Sequence, residues 1–340
     1  MYSDVTIPRT STVIPVGVSP FALAINQQTN KIYVANTNDT IVSVIDGSNN
    51  AVTSVGVGRE PWAIAVNPVT NKIYVTNQQS NTVSVIDGAS NAVTTLGVGN
   101  SPGSIAVNAN TNKIYVVNGL SGTISVIDGT TNAVTTIPVG SGPYALAINP
   151  ETNKIYVGLG DTNSVLIIDG SSNSISSSVL VGGSPGALAV DPSLNKIYAT
   201  SSSGTISIID GVTTAATLVT VGGSPTQIAV DTSRHLAYVA NPTGHAINIV
   251  DGTTNSVSGV GISDMPYNLA VNPSTGKIYA TTGMAQKVAV IDGATLSVSY
   301  VSAEYYVNAV AVNTDTNVVY VAQIPSTYPA SGSILAFSGL

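Results

Sequence analysis

Groups able to move protons are few and scattered in this chain of 340 residues, which holds two histidines, seventeen acids and no cysteine. Without cysteine there is no thiol nucleophile and no thiolate metal site. A metal shared by His235 and His245 would need both on one face, yet a strand of about five residues between them sends them to opposite ends. His235 reads as a framework residue standing where other repeats carry lysine. No Gly-x-Ser-x-Gly nucleophile elbow occurs. What remains for acid–base chemistry is Glu60, Asp264, Glu304 and His245, a set that would suit a lyase or lactone hydrolase. A second kind of chemistry is better supplied. Phe21, Trp62, Tyr144 and Tyr267 recur at one register, with Tyr305, Tyr306, Arg59 and Glu60 beside that register. Such rings could stack on a sugar or a small flat ligand, or simply plug a wide channel.

The elements that place these residues are repeats. The most stereotyped tyrosine falls at Tyr33, Tyr74, Tyr115, Tyr156, Tyr198, Tyr238, Tyr279 and Tyr320, at spacings of 40 to 42. An Ile-Asp-Gly or Val-Asp-Gly turn returns at Asp46, Asp87, Asp128, Asp169, Asp210, Asp251 and Asp292, and a proline at Pro20, Pro61, Pro102, Pro143, Pro185, Pro225 and Pro266. Within a unit, four short runs of alternating and β-branched residues are separated by turn chemistry. In the second unit they are Pro61 to Val66, Lys72 to Thr76, Thr82 to Ile86 and Ala92 to Val98. No segment carries a helical period. Eight copies of a four-stranded unit predict an all-β, single-domain, eight-bladed propeller over residues 1–340. Thr10 to Gly17 reads as the missing fourth strand of the last unit, so the N-terminal segment should close the ring by pairing with the C-terminal blade and remove a free edge.

The segments Asn71-Lys72-Ile73-Tyr74-Val75, Val85-Ile86-Asp87-Gly88 and Val57-Gly58-Arg59-Glu60-Pro61, repeated along about residues 10 to 340, resemble the YVTN β-propeller repeat. Tyr74-Val75-Thr76-Asn77 matches the segment that names it. The resemblance implies a surface-layer or secreted protein. The familiar surface-layer examples have seven blades, so eight is a departure. Similar propellers include lactonases, streptogramin lyases and haem d1 domains. Those lyases would call for a histidine and acid cluster spread over several blades, and haem d1 for an axial histidine with basic residues. The top loops offer mainly Arg59, Lys287 and His245.

Subtracting the repeat leaves little charge. Charged residues are 8% of the chain, against about a quarter in ordinary soluble proteins. Six of the ten basic residues are the repeat lysines Lys31, Lys72, Lys113, Lys154, Lys196 and Lys277, and seven acids are the turn aspartates, whose following glycine should supply a positive φ. Asp191 and Asp231 replace the asparagine that ends the first strand elsewhere. A net charge of −7 and a pI near 4.5 argue against nucleic acid or anionic membrane as partner. No apolar run is long enough for a membrane helix.

Strand directions put the loops before first strands, and those between second and third strands, on one varied face, called the top; the bottom is monotonous. The expectation is a non-enzymatic recognition or structural scaffold. It would need no cofactor or metal, and would bind a carbohydrate, a small flat ligand or a protein on the top face. Its expected place is the cell surface or the extracellular space, as part of a larger surface protein whose leader precedes this sequence, since Met1-Tyr2-Ser3-Asp4 lacks a signal peptide's basic start and apolar stretch. The sequon Asn38-Asp39-Thr40 on a top loop agrees with export.

Overall fold

The structure, a computed structural model, describes residues 11–327 and 329–339, and in these the chain forms eight separate four-stranded antiparallel sheets. In the first blade the strands run from the axis outward as Pro20–Asn26, Lys31–Asn36, Ile41–Asp46 and Val52–Gly56. Seven blades follow this consecutive order. The eighth is built of Tyr306–Asn313, Val318–Ile324 and Ser331–Ser338, with Ser11–Val18 as its outer strand. There Ser11 faces Phe337, Val13 faces Leu335 and Ile14 faces Ile334. The predicted closure is thus present, shifted by a residue from Thr10 to Gly17; Thr10 itself lies outside the described residues. Each inner strand packs beside the next around the ring, and Tyr306–Asn313 returns to Pro20–Asn26.

Alternation with a period of two explains why sheets stand radially. A strand presents successive side chains to opposite faces, and the second strands are buried on both. In the first blade Ile32 and Val34 pack with Ile14, Val16 and Tyr320 on the side of the last blade. Tyr33, Val42 and Val44 pack with Ile73, Val75 and Ile86 of the second blade. The core is therefore divided among the joints, and each fully buried aliphatic or aromatic side chain contributes about 1.5–3 kcal/mol.

Two glycine positions are explained by close approach. In the Val-Gly-x-x-Pro segment a Cβ on Gly58 would lie 2.8 Å from Asn77, whose amide is committed to Thr82 and Ser84. The Asp-Gly glycine corrects the sequence expectation, because positive φ does not occur at that glycine. It occurs at Asn50, Asn91, Asn132, Asn173, Thr214, Asn255 and Leu296. Gly88 is needed because a Cβ there would sit 2.8 Å from the Asn71 carbonyl, to which the Gly88 amide donates at 2.8 Å.

Candidate functional site

A bulge after the marker proline shapes the mouth of the channel. In the second blade Pro61 pairs with Asn77, but the register resumes only at Ile64 with Val75, and the same irregularity recurs in blades one, three, four, five and eight. Such a bulge kinks a strand and redirects a side chain. In blades six and seven the ladder starts later, at Gln227 and Leu269, which leaves Thr226 and Tyr267 ahead of the sheet.

All eight residues that follow the marker position, Phe21, Trp62, Gly103, Tyr144, Gly186, Thr226, Tyr267 and Asn308, line one cavity of about 790 Å³, and Tyr306 joins them. The walls differ. Phe21 and Trp62 stack on each other with ring centroids 4.4 Å apart and planes tilted by 37°, and Tyr144 stands 66% exposed. The sixth to eighth blades supply the amides and hydroxyl of Thr226, Gln227, Asn268 and Asn308. In an eight-membered ring the first two blades oppose the fifth and sixth, so the aromatic pair looks across at Gly186, Thr226 and Gln227. None of the described residues lining this cavity is charged.

The rim is fixed by side chains that bind the main chain of the next blade. Ser104 Oγ donates to Tyr144 O at 2.8 Å, Asn268 Nδ2 to Asn308 O at 3.1 Å, and Asn308 Nδ2 to Phe21 O at 3.1 Å across the closure. The Tyr267 hydroxyl donates to Met265 Sδ at 3.6 Å. Burial, with Tyr267 nearby, pushes the Tyr306 phenol above its ordinary range. These bonds preorganise the mouth, so little ordering cost remains for a ligand to meet.

The remaining singled-out residues lie elsewhere. Arg59 and Glu60 do not line the central cavity; with Thr37, Asn38, Asp39, Thr40 and Gln79 they form a separate pocket of about 530 Å³ between the first two blades. Tyr305 is not among the lining residues either, and its phenol is pushed up by a hydrogen bond to the Glu304 carboxylate. Asp264 accepts from Ser263 Oγ at 2.7 Å and lies 3.9 Å from Lys287. His245 is exposed in the turn before Ala246–Asp251. Among the described residues no hydrogen bond or ion pair joins any two of Glu60, Asp264, Glu304 and His245.

His235 requires a correction. Leu236, opposite Asp251, occupies the lysine position, and His235 stands in register with the positive-φ asparagine Asn30, Asn71, Asn112, Asn153 and Asn195. That register holds a ladder that sequence reasoning missed. Asn26 Nδ2 donates to Asn71 Oδ1 at 2.8 Å, and the pattern repeats from Asn67, Asn108, Asn149 and Asn272 to the next blade, with Asn313 closing onto Asn30 at 2.8 Å. At the fifth joint His235 Nδ1 meets the Asp191 carboxylate at 2.9 Å. At the sixth, Arg234 binds Asp231 at 2.7 Å and reaches Pro273 O of the next blade, in space left by Gly276. Burial would raise the Asp191 carboxyl, but hydrogen bonds from Ser193 and His235 outweigh it and hold the group below the ordinary range. Four repeat lysines add a further strap to a neighbouring blade: Lys31 Nζ donates to Gly88 O at 2.7 Å, Lys72 Nζ to Gly129 O at 3.0 Å and Lys113 Nζ to Gly170 O at 2.8 Å, and Lys196 Nζ donates to Gly252 O, whereas Lys277 pairs with Asp292 of its own blade at 2.7 Å. The turn aspartates accept amides two and three residues on, as Asp87 does from Ala89 and Ser90. These charges therefore serve the frame.

No family model matches the chain, and no curated protein sequence matches it. Solved structures do. A chain of Kuenenia stuttgartiensis hydrazine synthase superposes with a TM-score of 0.64 at 19% identity, covering 95% of this chain and 96% of that one. The computationally designed Ika8 protein superposes with a TM-score of 0.78 at 16% identity, covering 95% and 97%. At such identities the likeness is one of fold alone.

Proposed function

We propose that this propeller is a non-enzymatic recognition scaffold that takes an uncharged ligand, a neutral saccharide or another small flat molecule, in the mouth of its central channel. The observation that carries this is the makeup of the mouth: a preorganised aromatic pair faces a wall of amides and hydroxyls, and among the described residues no charged side chain lines the space. Stacking supplies affinity for a ring face, and amides discriminate among hydroxyl patterns. General acid–base catalysis needs a titratable group within hydrogen-bond reach of the substrate, and Glu60, Asp264, Glu304 and His245 lie outside this cavity. The motif resemblance to YVTN repeats and the weakly charged exterior support a cell-surface or secreted setting.

The test is a screen of neutral glycans and small lactones against the wild type and a Trp62→Ala, Tyr267→Ala double variant. Saccharide binding lost in the double variant is the expected result. Glycan binding that survives it removes the aromatic mouth from consideration, and lactone turnover abolished by Glu60→Gln replaces the scaffold reading with an enzymatic one.

A further inference from the structure

Among the described residues every blade ends in an outer strand that pairs on one side only. None of these eight strands, Ser11–Val18, Val52–Gly56, Val93–Gly97, Val134–Pro138, Ser174–Leu180, Ala216–Thr220, Val257–Gly261 and Val298–Ser302, contains a charged residue. Apart from Val298–Ser302, where Tyr300 and Val301 are buried, they are largely exposed, and all are made of valine, threonine, serine and other uncharged residues, with Val13, Val52, Val93, Ile175, Leu218 and Val257 open to solvent. Soluble proteins usually blunt such edges with lysine, inward-pointing charge or proline, because unpaired amides and carbonyls recruit another strand. Here only Pro15 and Pro138 interrupt the rim.

We propose that the rim is a self-association surface, on which the outer strand of one copy pairs edge to edge with the outer strand of a second copy. The charge distribution selects the partner. The chain carries a net −7, and the acids among its described residues lie outside the outer strands, among them Asp46, Asp87 and Asp128 in the bottom turns and Glu60, Asp264 and Glu304 on top loops. Two copies meeting face to face oppose carboxylates. Two copies meeting rim to rim oppose none. Antiparallel pairing of like edges is also self-complementary, as a two-fold contact requires. Most of these edges are five residues long, too short to reach the roughly 1,200 Å² of a stable interface. One contact is therefore weak, and assembly depends on several edges engaging together.

Sedimentation velocity over a graded concentration series tests this. One variant carries Thr53→Lys, Thr94→Lys, Thr135→Lys, Ser178→Lys, Thr217→Lys and Ser258→Lys, all exposed rim positions; a control carries the same number of lysines on the bottom turns. The wild type and the control form concentration-dependent species heavier than 34.3 kDa, and the rim variant sediments as a 34.3 kDa monomer. If the combined variant does not fold, the six single variants show graded loss of the heavier species. A wild type that stays monomeric at its highest soluble concentration overturns the proposal. So does equal loss of assembly in rim and control variants, which would make net charge alone responsible.

Discussion

Raising the pH should unfold this protein through its repeat tyrosines. Burial pushes the phenols of Tyr33, Tyr74, Tyr115 and Tyr156 up to about 12, against about 10 in an unfolded chain. A group whose folded value is raised contributes stability that is complete below the unfolded value and lost as pH climbs through the folded one. One unit is worth about 1.4 kcal/mol, so at pH 11 each of the four phenols has given up about 1.4 kcal/mol, and together about 5 kcal/mol. That is of the order of a whole domain's stability, about 5–15 kcal/mol. Tyr198, Tyr238 and Tyr320 are shifted in the same direction by burial and steepen the fall. The assay follows phenolate absorbance and β-sheet circular dichroism in one alkaline titration. Most repeat tyrosines should ionise in the same cooperative step that abolishes the dichroism, between pH 11 and 12. Tyr74→Phe should make that step shallower by one proton. Because the Tyr74 hydroxyl has no hydrogen-bond partner among the described residues, the substitution should also leave stability at neutral pH unchanged or raised by up to about 1 kcal/mol. Tyrosines ionising in a broad wave near pH 10 with the sheet signal intact would refute the reasoning.

Four further outcomes follow from the joints, the closure and the close-packed glycines. The Asp191 and Asp231 carboxyls are held below their ordinary range, so their contribution is complete above about pH 4 and disappears as pH falls. An Asp191→Asn, His235→Asn variant, which restores the common asparagine link, should lose less melting temperature than the wild type between pH 5 and 2 in acid thermal scans. Ile14 is 2% exposed in the cluster joining the last blade to the first, so Ile14→Ala should cost about 2–5 kcal/mol in denaturant titrations, and deleting residues 1–18 should bare the Ser331–Ser338 edge and cause aggregation. Gly58→Ala, with a Cβ 2.8 Å from Asn77, should cost about 1–3 kcal/mol, whereas the Cβ of Gly56→Ala meets nothing within 4 Å, leaving melting nearly unchanged.

The architecture was legible because its markers repeat: a buried tyrosine and a turn aspartate recurring about every 41 residues count blades directly, and the uncovered fourth strand pointed to the N-terminal segment. The residues of the mouth were legible for the same reason, since one register position maps onto one place in a ring. What stayed hidden depends on contacts across joints. Asn26 and Asn71 are 45 residues apart and each reads as an ordinary turn residue. The one available signal was the coincidence of Asp191 with His235, and of Asp231 with Gly276, one blade further along. Arg59 and Glu60 were grouped with the aromatics by sequence nearness, yet they precede the bulge and belong to a pocket between blades.

The closing blade also sets an order of events. Ser11–Val18 comes before every other strand in the order of the chain, and its hydrogen-bonding partner Ser331–Ser338 comes after every other. Until Ser331–Ser338 has been made that early strand lacks its partner, and joining the two costs the entropy of a loop spanning all the strands between them. Circularisation is thus the last of the strand pairings to become possible, and the one of longest sequence separation. A half-made molecule, with its first and latest blades both open, is the form that chaperones and proteases would meet.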